Sequence, residues 1–374
     1  MKKKIRVLHI LHELHPSGAE MMIKNAYPYW QVECDGTIMA TGKIVGPFAE
    51  TLQNTGYEIA YVPTNGAGKK AKIKHLADFW KYMRKNRFDV VHIHRESLSF
   101  EYALIAKLCG SKNIVRTVHS TFAHTGIQRR IKASTRWLVK RLLGGKFIAI
   151  SDGVANNEKK VFGNECDKVI YNWCNNEKFT FLSSAEKKVA KTEAGNQDKL
   201  VLVTVGNCNH VKNHEVLLRA LALCKSKDMI KYLHVGYSKD NTENEKELAE
   251  ELGITEQVCF LGSTDPMPYL IQADVFLMTS IYEGLSIATL EAIFTGMRVL
   301  LADAPGLTEF RNKGFEGVDY FTSTPEALAE TLENYVKLFK DAKILPMESQ
   351  SVRAKELYDC EKQVRKYVEI YESF

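Results

Sequence analysis

Short apolar runs alternate with amphipathic stretches along most of the chain. Residues 5–11, 57–62, 90–94 and 113–119 predict buried strands, and residues such as 76–86 repeat apolar positions at helical spacing between them. The rhythm restarts at 200–206 and continues through 231–235, 258–261, 273–278 and 298–301. Strand and helix in alternation predict βαβ units and parallel sheets, here two doubly wound α/β domains. Residues 183–199 between them are rich in Ser, Lys, Glu, Gly and Asn and read as an exposed connection. The last stretch, 352–374, places Leu357, Val364, Val368 and Tyr371 at helical spacing.

Composition narrows the class. A chain of 374 residues with 45% apolar content exceeds one typical core. No run approaches eighteen apolar residues, so no membrane span is expected. The first eleven residues imitate a secretory signal, but Arg6 and His9 break the apolar run and favour a first strand. Eight scattered cysteines without Cys-x-x-Cys read as reduced packing residues of a cytosolic protein.

Charge divides the chain. Residues 1–175 carry 28 Lys+Arg against 14 Asp+Glu, a net of +14, and the remainder 23 against 31, a net of −8. The densest basic stretch, 128–143, holds no acid, and Ile127, Ile131, Leu138 and Leu142 recur near helical spacing with Trp137 at their margin. That pattern suits reversible contact with an anionic membrane surface, and equally a solvated basic face on a packed helix. No nucleic-acid motif accompanies the charge, so no nucleic-acid partner is expected.

Candidate chemistry gathers in the second half. Glu283 and Glu291 are eight positions apart; in one continuous helix they would stand about 12 Å apart along the axis. The preceding strand and Ser286, a suitable N-cap, instead put Glu283 on a loop and Glu291 in the first turns of a helix. Gly284 eases the bend, and amides from Gly284, Leu285, Ser286 and Ile287 can hold an anion at a helix start. The alternative is an ordinary surface glutamate and a helix carboxylate near its dipole. Lys212 sits between a strand and a helix from about residue 215, where its charge suits a diphosphate. The Gly-x-Gly-x-x-Ala match at 66–71 lacks a following strand that ends in an acid and reads as a basic surface loop. His92 and His94 share a strand face, as a packed pair or a metal pair.

Together, strand, Tyr282-Glu283-Gly284-Leu285, Glu291 and the strand after Gly296 resemble the Glu-x7-Glu signature of retaining, nucleotide-sugar-dependent glycosyltransferases of family 4. Further stretches match that family: Ser17-Gly18-Ala19-Glu20 its Gly-Gly-x-Glu loop with only Gly18 carried over, Asp89-Val90-Val91-His92-Ile93-His94, His119 at a strand end, and Lys212 of its Gly-Arg-x4-Lys-Gly. Asn207 stands where that Arg would be, and Trp173 replaces a glycine in the stretch before the second domain. The resemblance implies the GT-B fold: two Rossmann-like domains facing a cleft, residues 1–175 binding acceptor and 176–355 binding donor, with a terminal helix, 356–374, returning to the first domain.

It also implies roles. Glu283 would position the donor sugar, His119 lie near its C6, Lys212 neutralise the leaving diphosphate, and Glu291 hold the ribose. Gly18, Asn207, Gly284, Leu285 and Ser286 would line the donor site, with Ser263 toward the base. No Asp-x-Asp occurs, so no metal or other cofactor is expected. The activity implied is transfer of a hexose, with retained configuration, to a glycan or lipid-linked acceptor in cell-surface polysaccharide synthesis, from a uridine diphosphate sugar ahead of a guanosine one. A GT-B nucleotide-sugar epimerase and a non-catalytic glycan or nucleotide-sugar binder are the alternatives.

Overall fold

Two parallel sheets carry the chain, in a computed structural model that describes residues 3–66, 68–237 and 239–373. The first is built from β1 (Ile5–Leu11), β2 (Cys34–Ala40), β3 (Glu58–Tyr61), β4 (Val90–Ile93), β5 (Asn113–Val118), β6 (Lys146–Ala149) and β7 (Lys168–Val169), in the order β3-β2-β1-β4-β5-β6-β7. The second holds β8 (Leu200–Val205), β9 (Ile230–Val235), β10 (Val258–Phe260), β11 (Val275–Met278), β12 (Arg298–Ala302) and β13 (Val318–Phe321), ordered β10-β9-β8-β11-β12-β13. Helices cover both faces, so β4, β5 and β11 are buried at every position and read as unbroken runs rather than alternating ones. Each sheet reverses its strand order once, between β1 and β4 and between β8 and β11. Ligands of open α/β sheets bind beyond the strand carboxyl ends at such reversals.

The chain divides into two compact units, residues 1–173 with 360–374, and residues 174–359. Trp173, which stands in place of the family's glycine, is buried at the end of the first unit and donates from its indole Nε1 to the Met22 carbonyl at 3.1 Å. The terminal stretch is two helices, Glu348–Tyr358 in the second unit and Cys360–Glu372 in the first. The latter buries Tyr367 and Tyr371, whose hydroxyls meet Thr117 Oγ1 at 2.9 Å and His92 Nδ1 at 2.6 Å, and Asn113 donates to the Ile370 carbonyl at 2.7 Å.

Two expectations change. Residues 183–199 are not an exposed connection: a helix, Ser184–Glu193, starts with a reciprocal capping box between Ser183 and Glu186. Its buried face is made of lysine stems, with Lys187 donating to the Leu270 carbonyl at 3.1 Å and Lys191 paired with Asp274 at 2.7 Å. Of the 66–71 match, Ala67 lies outside the described residues, and Gly68 opens the helix Gly68–Lys85.

The basic stretch is the helix Gly126–Leu142, and its charges are not one face. Arg136 is fully buried, binds Glu158 through Nε and Nη2 at 2.7 and 2.9 Å, reaches Glu96 at 3.1 Å and stacks 3.7 Å over the Phe162 ring. Arg116 and Lys132 also pair with Glu96. Burial opposes its ionisation, yet Arg116, Arg136 and Lys132 together hold the Glu96 carboxyl below the usual range. Ile127, Arg130, Ile131, Trp137, Arg141 and Leu142 are the exposed side. No helix among the described residues is long and apolar enough to cross a membrane.

Replacing Arg136 leaves Glu158 as an uncompensated buried charge. Arg136→Met should therefore destabilise the protein by about 3–5 kcal/mol, and the double variant Arg136→Met/Glu158→Leu should recover most of that loss. Denaturant unfolding of the single and double variants measures it; a double variant as unstable as the single one would show that the buried pair is not the cause.

Candidate active site

Lys212 and Glu283 are brought together by the reversal between β8 and β11. The loop leaving β8 turns at Asn209, whose side-chain oxygen and carbonyl both accept from the Lys212 amide, at 3.0 and 3.1 Å. Asn213 then takes a left-handed conformation, φ 54°, at the start of the helix His214–Leu223. This folds the Lys212 side chain back over Gly206, where a Cβ would stand 3.1 Å from Lys212 Cε. The loop leaving β11 is tied to it: Thr279 Oγ1 donates to the Lys212 carbonyl at 2.8 Å and the Ile281 amide to the Val211 carbonyl at 2.8 Å. Lys212 Nζ then meets Glu283 Oε1 at 2.7 Å, and Ser280 Oγ donates to the same oxygen at 2.8 Å.

A third loop, after β12, holds Glu283 from behind. The Glu283 amide donates to the Pro305 carbonyl at 2.8 Å. Gly306 has φ 82°, and a Cβ on it would lie 2.1 Å from the Glu283 carbonyl oxygen, so this position admits only glycine. Thr279, Ser280 and Gly306 were not among the expected residues; the Pro-Gly dipeptide was the available turn signal for the last.

Ser286 is the N-cap of the helix Ile287–Phe294, accepting from the Thr289 amide at 3.2 Å, as its position predicts. Gly284 and Leu285 are buried in the same loop. Glu291, in the second turn, is buried, and burial raises its carboxyl to about 8; Lys178 opposes and Asp265 adds to that shift, but the two pair with each other at 2.6 Å. At neutral pH Glu291 is thus a protonated carboxyl that can donate as well as accept. Asn207 accepts through Oδ1 from the Tyr237 amide at 3.2 Å. Ser263 is exposed after β10, next to Gly262, whose carbonyl accepts from the Gly236 amide at 2.9 Å.

In the first unit, His119 follows β5 and ends a chain of imidazoles. His9 Nδ1 meets His94 Nε2 at 3.1 Å, and His94 Nδ1 meets His119 Nε2 at 2.9 Å. His92 uses both nitrogens on Tyr371 and Thr117. All four ring nitrogens of His92 and His94 therefore have protein partners, as in a packed pair, and with His9 their ligand atoms also lie within 4.8 Å of one another. Burial lowers His9 to about 3 and His119 to about 4. At neutral pH His119 is uncharged, fit to hydrogen-bond a hydroxyl and not to balance a phosphate. Gly18 is the first residue of the helix Gly18–Trp30, and the Ser17 hydroxyl binds the buried Glu20 carboxyl three residues on.

Comparison with known proteins follows this division. The family described as Glycosyltransferase Family 4 matches residues 37–178, and that described as Glycosyl transferases group 1 matches residues 186–345. The capsular polysaccharide biosynthesis glycosyltransferase CapH of Staphylococcus aureus is 23% identical over 95% of this chain and 98% of its own. An Escherichia coli UDP-Gal:alpha-D-GlcNAc-diphosphoundecaprenol alpha-1,3-galactosyltransferase is 22% identical over 73% of each. Among solved structures, Anabaena HepE in complex with UDP and glucose superposes with a TM-score of 0.83 at 16% identity, over 99% of this chain and 100% of that one.

Glu291 makes a pH-dependent prediction. Its folded carboxyl titrates near 8 against an ordinary 4.5, so the folded state holds the extra proton between those values. Stability should fall as pH rises through that window and level off above it, by an amount on the order of a few kcal/mol at about 1.4 kcal/mol per unit. Glu291→Gln removes the slope, so its melting temperature should gain on the wild type steadily from pH 5 to pH 8.5. Thermal melts across that range decide; a difference independent of pH would place the ionisation elsewhere.

Proposed function

We propose that this chain, which belongs to glycosyltransferase family 4 and has the GT-B fold, moves a hexose from a nucleoside diphosphate sugar to a glycan or lipid-linked acceptor in polysaccharide synthesis, keeping the anomeric configuration. The observation that supports it most is the Lys212–Glu283 pair at the carboxyl ends of β8 and β11. A ligand seated there meets a full positive charge beside a carboxylate, which suits a diphosphate joined to a hydroxylated ring. The complexes of HepE with UDP, glucose and UDP-glucose support a uridine diphosphate sugar as donor.

In this reading the bond from the anomeric carbon to the diphosphate oxygen breaks as the acceptor oxygen bonds to the same face. The leaving phosphate oxygen takes the acceptor proton, and Lys212 balances the charge that develops on the diphosphate, with no metal required. Glu283 orients the sugar hydroxyls, neutral His119 meets the sugar near C6, and the protonated Glu291 binds the ribose. Gly18, Asn207, Ser263 and the Gly284–Leu285–Ser286 backbone are assigned to donor contacts on the family resemblance.

The site works on the cytosolic membrane face in this proposal, through the exposed side of the helix Gly126–Leu142. Ile127, Ile131 and Leu142 are 75%, 56% and 68% exposed, and Arg130, Trp137 and Arg141 flank them. A groove of about 1010 Å³ opens beside this side, lined in part by Trp137, Leu138, Arg141 and Phe162. Each basic residue near an anionic surface contributes about 1 kcal/mol, which makes contact reversible by salt.

Three measurements test these assignments. Lys212→Ala should weaken binding of uridine diphosphate by about 1.5–3 kcal/mol, ten- to a hundredfold, and nearly abolish transfer; unchanged affinity would remove Lys212 from the diphosphate. Glu283→Gln should lose transfer while binding the nucleotide as well as or better than the wild type, because it releases Lys212 from its partner. A matching loss of nucleotide affinity would put Glu283 at the wrong end of the donor. For the membrane, co-sedimentation should show binding to anionic and not neutral vesicles, released by high salt and by Arg130→Glu/Arg141→Glu. Binding equal on both vesicles, or none, would leave this side merely solvated.

A further inference from the structure

Four metal-binding side chains converge in the second unit beneath the loop that carries Lys212. Cys208 lies in that loop, His214 is the first residue of the helix His214–Leu223, His234 is on β9, and Glu245 is on the helix Lys239–Glu251. Their donor atoms all lie within 4.8 Å of one another. His214 Nδ1 is 3.1 Å from Glu245 Oε1, His234 Nδ1 is 3.5 Å from Glu245 Oε2, and Cys208 Sγ is 3.9 Å from His234 Nδ1. Zinc–sulfur and zinc–nitrogen bonds of about 2.3 and 2.0–2.1 Å give a tetrahedron edges of about 3.3–3.6 Å, within a few tenths of an ångström of these separations.

The surroundings are those of a ligand set. His234 Nε2 donates to the Gly206 carbonyl at 3.0 Å, which fixes the tautomer and turns the Nδ1 lone pair inward. Thr242 Oγ1 donates to Cys208 Sγ at 3.0 Å, as a donor to a bound thiolate would. Cys208, His214 and His234 are buried. Glu245 Oε2 is a buried oxygen with no hydrogen-bond donor, and it faces the His234 Nδ1 lone pair. A cation held among these four groups would give that oxygen a partner.

We propose that Cys208, His214, His234 and Glu245 bind one Zn²⁺ ion tetrahedrally. One thiolate and one carboxylate neutralise the dication, so the occupied site buries no net charge, and the mixed sulfur, nitrogen and oxygen set suits zinc over the oxygen-seeking Mg²⁺ and Ca²⁺. On binding, the Cys208 S–H bond breaks, its proton leaves to solvent and the sulfur bonds to the metal. With all four positions filled by protein, the ion is structural: it joins the loop after β8 to β9 and to the helix Lys239–Glu251. Cys208 is four residues before Lys212, so the ion would also fix the backbone from which Lys212 projects. That last consequence rests on the proposed donor role of Lys212; the metal site does not.

The test uses the full-length protein with no sugar nucleotide present, so its outcome is independent of transfer. After chelator dialysis, Co²⁺ should bind one equivalent per chain with the intense visible bands of a tetrahedral site and a thiolate-to-cobalt charge-transfer band, and Zn²⁺ should displace it. Cys208→Ser should lose the charge-transfer band, and Glu245→Gln should weaken binding by more than about tenfold. Cys224→Ser, at another buried cysteine whose thiol meets the Ala329 carbonyl, should change neither. If Cys208→Ser does not fold, Glu245→Gln and the zinc-dependent rise in wild-type melting temperature carry the test. No cobalt bound, a weak octahedral spectrum, or an unchanged spectrum in Cys208→Ser would overturn the proposal.

Discussion

The ion pair between Lys212 and Glu283 depends on β8 and β11 being neighbours, since each residue sits on the loop that leaves one of those strands. Removing either charge alone would strand the other in a half-buried site, where an unpaired charge is costly. In the proposed function a diphosphate would replace the carboxylate as the partner of Lys212, so binding would exchange counter-ions and create no new buried charge, and Glu283 would turn to hydroxyls. The pair thus keeps the ligand-free site stable and ready in the same geometry, and Gly306 keeps Glu283 from drifting because nothing larger fits behind its carbonyl.

The first unit solves a different problem. The carboxyl edge of its sheet carries His119 at the end of an imidazole chain whose rings bond one another and are kept uncharged by burial, while the neighbouring His92 bonds Tyr371 and Thr117. A buried charge cluster of Arg116, Glu96, Arg136 and Glu158 lies under the basic helix of the same unit. The terminal helix Cys360–Glu372 supplies Tyr371 to His92, which ties the end of the sequence to the strand that carries His92.

Periodicity made the sheets legible, because strands covered on both faces are apolar at every position and stand out from amphipathic helices. Ser286 as an N-cap, and hence Glu283 on a loop, followed from local chemistry alone. Three features did not. The helix Ser184–Glu193 buries lysine stems, so its apolar content is low and only the Ser183–Glu186 box marked it. Arg136 is one of several basic residues on its helix, and only the fold shows that Glu158 lies opposite it. The Cys208, His214, His234 and Glu245 set comes from four separate places, so no ligand spacing exists to be read.

Asn207 changes what the phosphate loop relies on. An arginine there would bring a second full charge to the diphosphate, whereas Asn207 Oδ1 binds the Tyr237 amide and ties the loop after β8 to the loop after β9. Gly236 packs against the same place so closely that a Cβ on it would lie 1.9 Å from the Gly206 carbonyl. Relative to the family's arginine, Asn207 therefore supplies a backbone tether in place of a charge, in a loop whose other contacts also fix the main chain. A stiff loop loses little entropy when a ligand binds, and in the proposed function that would offset part of the missing Coulomb attraction. Charge compensation would then fall on Lys212, whose direction is set by Asn209, Asn213 and Thr279 and whose partner in the structure is Glu283.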